Sequence, residues 1–587
     1  MKKILVLILS VAALASCTLE EKVISSSEPS TYYQTVPQCK TGLNGCYIPL
    51  KDIYRNADYF EVCEVAADLI YHNSNSYYDA MCNYTQSIPR FGSTLWTQCY
   101  RGVMRCNAMY VAIKNAPLAE DEESAREAML AECEILRAFY YYILTINFGD
   151  VPYYWDEVTD ANNDAIAQLP RMSANELRAE LMTRLEYWLV ERQALPLIKT
   201  YAPENEYRIG SMIGFVLAGK LAMWNKDWDK AIEYFGYVEQ VYGCADSEGG
   251  YTPDQALLGY SIKDIMFRNR YTEESIFELP AYAKDYGLRV TVGLASRCTP
   301  SRKSTITEGG SIEGSEEEDS DVEMEDDTVD LTKKDDMYDG IRIPELGAEA
   351  RTTSPYLPTQ YMYKTLMPYN SKDKRRSVYD TNKFSLDEVV EVEDGGGWLA
   401  WCYAGWTSTE SVQSVGRHML YFNKTKSNTG QPFLGDKFWC PGMVYTQDSN
   451  NLKIFRFAHV VLDLAEAHMR MGDWEKANGY LNATRNRAGL DKLNLYEEDD
   501  FMEELQKESA RELFGEFTRR HNLVRWGIWR DNILKYAKYP SGSNFYNCDI
   551  VSYVEAAPCR EYYPIPDQQL VLSNYNLDNK EYDKYGF

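Results

Sequence analysis

The sequence predicts a mainly helical fold, with helices paired into tetratricopeptide-like hairpins and packed against a loop-rich lobe with short strands. Three observations predict it. Long stretches carry an apolar period of about 3.6 residues, one helix–turn–helix phrase occurs twice, and two long segments have no helical period.

The period is clearest in KIFRFAHVVLDLAEAHMRMGD, Lys453 to Asp473. Polar residues fall at Arg456, His459, Asp463, Glu466 and Arg470, in steps of three and four. The apolar stripe is Ile454, Phe457, Val461, Leu464 and Ala465. Gly472-Asp473 ends this helix, and a second begins at Trp474. The same phrase stands earlier in the chain. MWNKDWDKAIEYF (Met223 to Phe235) parallels MRMGDWEKANGYL (Met469 to Leu481), aligning Asp227, Trp228, Lys230 and Ala231 with Asp473, Trp474, Lys476 and Ala477. Each copy follows a helix with small residues: Gly214, Ala218 and Ala222 in one, Ala458 and Ala465 in the other. Ala231 and Ala477 are expected to fit against them, which lets the helices approach closely. Trp228 and Trp474 are expected to pack rather than to bind ligand. A third hairpin is expected over Thr94 to Asn115 and Ser124 to Phe148, so the scaffold runs mainly over 93–243 and 452–535.

Residues 244–300 and 340–450 are rich in Gly, Pro, Tyr, Thr and Ser, and read as irregular loops with short strands. They make a loop-rich lobe mainly over 244–451. Between them, Gly309 to Asp330 is an acidic low-complexity insert, expected to be solvated and mobile. Clustered carboxylates suit a hard cation, but the ordered DxDxDG spacing is missing, which leaves calcium as the minor reading.

With 587 residues the chain is too long for one compact core at ~100–200 residues per domain. A net charge of −27 argues against nucleic acid as a partner, since phosphate binding needs clustered Lys and Arg. The longest basic run is only KRR, Lys374 to Arg376. Aromatic content is 13%, mostly from 47 tyrosines, a residue common on binding surfaces.

The start, MKKILVLILSVAALASC, has two lysines, an apolar run from Ile4 to Leu9, and small residues before Cys17. That is the pattern of a secretory signal peptide over 1–16. Leu14-Ala15-Ser16-Cys17 matches a bacterial lipobox, which marks Cys17 for lipid attachment and 17–30 as a polar tether. The membrane is then touched only through this N-terminal lipid. The 13 remaining cysteines, an odd number with no CxxC, match no zinc template. With five scattered histidines, neither a metal nor a cofactor is expected. Most of these cysteines read as small buried residues, and export leaves room for a disulfide or two.

Several motifs in one order carry a family resemblance. RAFYYYILTINFGDVPYY (Arg137 to Tyr154) and LWTQCYRGVMRCNAMY, with Trp96, Tyr100 and Asn107, resemble the N-terminal signature of the SusD/RagB family of outer-membrane nutrient-binding lipoproteins. EESIFELP (Glu273 to Pro280) is similar to its mid-chain strand, and His459 to Leu490 to its late hairpin. Glu508 to Gly527 carries Glu508, Arg511, Glu512, Glu516, Arg519, Arg525 and Trp526 in the family pattern, and YYPIPDQQLVLSN (Tyr562 to Asn574) resembles the closing segment. Asn522 departs from the usual Asp, and the acidic insert is atypical. The resemblance implies one SusD-like domain over 31–587 with about four hairpins, anchored in the outer membrane and facing the medium. Glu20 and Glu21 fit surface export in such bacteria. It also implies a partner, a SusC-like TonB-dependent barrel transporter, and a ligand that is usually a glycan and in some relatives a peptide.

An enzyme is not expected, because there is no GxSxG and no HExxH. A surface hydrolase is the weakest alternative, behind a peptide-binding lid. Glu508–Arg511, Glu512–Glu516 and Glu516–Arg519/Arg520 stand three or four apart and are expected to form a structural ion network. Sugar binding instead needs an aromatic face under the pyranose and polar groups at its rim. GGGWLAWCYAGW supplies Trp398, Trp401, Tyr403 and Trp406 among glycines. HNSNSYYDAMCNY supplies Tyr77, Tyr78, Asp79 and Asn83. Since the family takes ligand contacts from both early and later loops, these two segments are expected to converge. If 398–406 is a strand, Trp398 and Trp406 share one face and Trp401 takes the other.

Overall fold

The computed structural model describes residues 32–55, 57–72, 90–243, 269–281, 293–298, 341–342, 355–368, 371–379, 391–393, 399–402, 419–420, 433–440, 448, 451–537 and 561–580. Helices dominate them. Arg90–Asn115 and Glu123–Phe148 pack along their length, as do Ser211–Asn225 with Trp228–Tyr242, and Phe457–Arg470 with Trp474–Arg487. The connections are short, so each pair runs antiparallel as a hairpin. Ala174–Glu186 bridges the first two pairs, and Glu498–Glu512 closes the third. Glu123–Phe148 is buried on every side from Met129 onward, which makes it the central helix.

The two copies of the repeated phrase fold alike down to single hydrogen bonds. Helices start at Trp228 and Trp474, each capped by an aspartate, with Asp227 accepting from Lys230 N at 3.2 Å and Asp473 from Lys476 N at 3.2 Å. Asp227 N donates to Ala222 O, and Asp473 N to His468 O, both at 2.9 Å. Ala231 and Ala477 are fully buried, and Trp228 and Trp474 pack against the core. One expectation needs correcting. Gly214 faces Leu189 and Ile135, where an added Cβ would lie 2.7 and 3.1 Å away. The close approach inside this hairpin is made at Gly219, whose Cβ would sit 2.4 Å from the Phe235 ring.

The turn before each aspartate needs a left-handed residue. Gly472 supplies it at φ +77, while Lys226 is forced to φ +60. Lys226→Gly is therefore expected to raise the unfolding free energy by ~0.5 kcal/mol, because relief of the Cβ strain outweighs glycine's larger unfolded-state entropy. Thermal denaturation checks the sign, and a loss would mean that the Lys226 side chain makes a stabilising contact.

The lobe contributes a four-stranded sheet in the order Phe433–Leu434, Leu399–Cys402, Arg376–Tyr379, Glu391–Glu393. Ile70–His72 pairs antiparallel with Tyr356–Pro358, and Ser275–Leu279 with Leu452–Arg456. The acidic insert Gly309 to Asp330 and the N-terminal segment with Cys17 lie outside the described residues.

Candidate functional site

Of the aromatic stretch, the described backbone is the strand Leu399–Cys402, which carries Trp401. It runs parallel to Arg376–Tyr379, with Trp401 opposite Val378, and antiparallel to Phe433–Leu434, with Ala400 opposite Phe433. Trp398, Tyr403 and Trp406 lie outside the described residues, and so do Tyr77, Tyr78, Asp79 and Asn83. The early segment leaves the strand Ile70–His72 at His72, which pairs with Tyr356. Tyr356–Pro358 lies alongside Phe433–Leu434, the direct partner of the Trp401 strand. The backbone that launches the early segment and the backbone that carries Trp401 thus belong to one cluster of strands.

A buried ionic hub ties that cluster to the helices. Arg375, fully buried, donates to Asp373 at 2.8 and 2.7 Å, to Glu508 at 2.8 Å and to Glu512 at 2.9 Å. The next residue, Arg376, begins the strand that runs beside Trp401. Arg456 binds Glu516 at 2.7 Å, Glu274 at 2.7 Å and Glu512 at 2.8 Å, and Arg487 closes the ring between Glu274 and Glu512. Burial opposes ionisation of Glu508, but Arg375 and Arg511 outweigh it and hold the carboxyl well below its usual range. Arg456 and Lys437 do the same for Glu516. Lys437 is pushed down to about 8 by burial, against the pull of Glu516 at 2.6 Å.

The hub is structural, as the sequence led us to expect, but only part of its local pairing is right. Glu508 does bind Arg511, at 2.9 Å. Glu516 does not pair with Arg519 or Arg520, because the helix ends at Glu512 and the left-handed Gly515 turns the chain. Past that end, a spacing of four no longer puts side chains on one face. Arg519 instead holds Asp68 at 2.7 Å, and Arg520 donates to the Glu561 carbonyl at 2.8 Å. The sequence reading missed Arg375 altogether. Its KRR run looks like surface charge, and no local pattern marks the middle residue as buried.

Two buried carboxylates sit where the scaffold meets the lobe. Glu61 accepts from the Tyr356 hydroxyl at 2.5 Å, and burial pushes it up to about 7. Glu64 accepts from the amides of Gly515, Thr518 and Arg519, yet burial still lifts it to about 7. Cys39, Cys46, Cys63, Cys99, Cys106, Cys133 and Cys298 are buried and form no disulfide among the described residues, and Cys440 is buried as well. Among the described residues no group of His, Cys, Asp or Glu is arranged to hold a metal, and no helix is long and apolar enough to cross a membrane.

Two family profiles match this chain. One, described as the SusD family, covers residues 320–582, and the other, described as starch-binding associating with outer membrane, covers 25–187. The chain is a SusD-like protein. The SusD-like protein P25 of Formosa agariphila is 22% identical over 98% of both chains. The SusD-like protein P2 of the same organism is 28% identical over 34% of this chain, a match that spans 41% of P2. Among solved structures, a SusD homolog from Bacteroides thetaiotaomicron superposes with a TM-score of 0.63 at 17% identity, covering 94% of this chain and 98% of its own. Surface glycan-binding protein A from the same species, in complex with laminarihexaose, gives 0.59 at 18% identity, covering 94% and 100%. These likenesses fix the fold of the SusD-like protein as mainly helical and tetratricopeptide-containing, as its sequence predicts. The profile description associates the family with the outer membrane, and neither profile describes an enzyme.

Proposed function

We propose that this SusD-like protein is a cell-surface lipoprotein, anchored through Cys17, that binds a glycan without cleaving it and delivers it to a SusC-like TonB-dependent transporter. The ligand site is Trp398, Trp401, Tyr403 and Trp406, with Tyr77, Tyr78, Asp79 and Asn83 closing on it from the early segment. The observation that carries this reading is the strand cluster that joins the Trp401 strand, through Phe433–Leu434 and Tyr356–Pro358, to the strand ending at His72. It supports the reading because the strand that carries Trp401 and the strand from which the Asn- and Tyr-rich early segment departs belong to one cluster, and a concave sugar site needs aromatic and polar groups from both. The structural relative bound to laminarihexaose, and another named a laminarin-binding SusD-like protein, point to the same ligand class.

The test is titration of the full chain against polysaccharides and a peptide mixture, with Trp398, Trp401 and Trp406 each replaced by Ala. Glycan binding that these replacements abolish is the expected result. Binding to peptides alone would make the protein a peptide lid, and turnover of a ligand would make it a hydrolase. Glycan binding indifferent to all three tryptophans would overturn the site.

A further inference from the structure

A second aromatic surface lies beside the Ser275–Leu279/Leu452–Arg456 sheet, which is separate from the Trp401 sheet. The rings of Tyr201 and Tyr271 lie 4.5 Å apart, those of Tyr207 and Tyr271 5.5 Å, and those of Tyr201 and Tyr207 6.4 Å. Two cavities meet at Tyr201. One, of 320 Å³, is also lined by Tyr207, Asn44 and Lys51. The other, of 510 Å³, is also lined by Tyr271, Gln240 and Lys199. Both volumes fall in the range of small-molecule sites, ~300–1,000 Å³. The strand next to Tyr271, Ser275–Leu279, pairs with Leu452–Arg456 and belongs to a different sheet from Trp401.

The platform is built in a backbone that tyrosine does not favour. Tyr207 and Tyr271 are held at φ +58 and +52, and Glu206 beside Tyr207 at +51. Such conformations persist only where the surroundings impose them, and they gather at ligand sites. Here the surroundings are clear. Asn205 clamps its own loop by donating to the carbonyls of Thr200 at 2.9 Å and Arg208 at 2.7 Å. Glu278 receives the Tyr271 amide at 3.0 Å, and its carbonyl receives the Tyr201 hydroxyl at 3.1 Å. The backbone that carries the rings is thus set before any ligand arrives, while Tyr207 stays 56% exposed.

Most charges around the rings are paired, and Lys51, which lines the smaller cavity, has no carboxylate partner among the described residues. Glu206 binds Lys40 at 2.8 Å, Arg208 binds Glu132 at 2.9 Å, Glu278 binds Lys453 at 2.6 Å, and Glu273 binds Lys199. A platform of ring faces with a polar rim whose charges are mostly paired suits a neutral polyhydroxylated ligand. We propose that Tyr201, Tyr207 and Tyr271 form a second, independent site for a neutral oligosaccharide segment, which lets one protein hold a long chain at two points. This rests on the glycan-binding reading above but uses a different surface.

Calorimetric titration of the full chain with laminarihexaose, maltohexaose, cellohexaose, xylohexaose and a mixture of short peptides tests it. One of these sugars is expected to bind at two sites. Tyr207→Ala should weaken one of them by about tenfold, the scale of a single aromatic contact, and leave the other unchanged. Tyr207→Phe should retain it, because the ring face and not the hydroxyl makes the contact. Trp398→Ala with Trp401→Ala should have the converse effect. A single stoichiometric site insensitive to Tyr207→Ala would overturn the second site and leave the glycan-binding function standing. Peptide binding at Tyr207, or no sugar binding at all, would overturn it together with the neutral-sugar assignment. Tyr207 is exposed, so loss of folding does not confuse the result, and circular dichroism of each variant verifies this.

Discussion

Arg375→Met is expected to lower the unfolding free energy by ~3–5 kcal/mol, the scale of breaking a buried ion pair from one side. The guanidinium is fully buried and is the shared partner of Asp373, Glu508 and Glu512. Burial alone disfavours its charge, and these three carboxylates more than compensate, so it stays protonated. Methionine fills much of the volume but leaves three carboxylates facing one another without a counter-ion. Adding Glu508→Gln to Arg375→Met should recover part of the loss, since it removes one of the stranded charges. Guanidinium denaturation measures both, and a single-variant loss below ~1 kcal/mol would contradict the hub's role. Because Arg376 starts the strand beside Trp401, the variant should also weaken ligand binding at the proposed tryptophan site before it unfolds the chain.

The second large effect is on pH. His459 and His521 are pushed down to about 3, first by burial and then by neighbouring charge: Lys220 and Arg456 against the pull of Glu516 for His459, Arg520 for His521. Both are neutral in the fold and take up a proton on unfolding, so each removes stability as pH falls from about 6.5 toward 3. Glu61 and Glu64 have the opposite sign. Raised to about 7, they bind protons in the fold before the unfolded chain does, and add stability as pH falls from about 7 to about 4.5. In that window the histidines and these glutamates oppose each other, and Glu132, Glu134, Glu239 and Glu561, also raised by burial, act on the glutamates' side. Below about 4.5 the glutamate gain is complete, while Glu274, Glu466, Glu508 and Glu516, all depressed by arginine partners despite their burial, begin to lose their pairs. The expected profile is an unfolding free energy that does not fall from pH 7 to 4.5, then drops steeply by up to ~1.4 kcal/mol per pH unit for each such group. A smooth decline starting at pH 6.5 would contradict the glutamate assignments, and Glu64→Gln should then leave the profile unchanged.

Local pattern was a good guide wherever a helix buried one face. The hairpin at Trp228 and that at Trp474 could be aligned residue by residue because the same turn, cap and small residue recur at the same spacing, and these are short-range demands of the backbone. The same reasoning failed at Gly214 and Gly219, since both are small residues on one helix and only the packing decides which meets Phe235. It failed again at Glu516, where a helical spacing was extended past the helix end.

The sequence by itself determined that this is a mainly helical chain built on repeated hairpins, because periodicity, capping and turn chemistry act over a few neighbouring residues, and its ordered motifs carried the SusD-like resemblance. Tertiary structure alone decided that the middle of a KRR run is the centre of a buried hub, with partners Glu508 and Glu512 far along the chain. It alone brought Tyr201, Tyr207 and Tyr271 together, from a loop and a strand edge that share no pattern. Ion pairs and aromatic clusters are made in space, and contacts at long sequence separation leave no period to read.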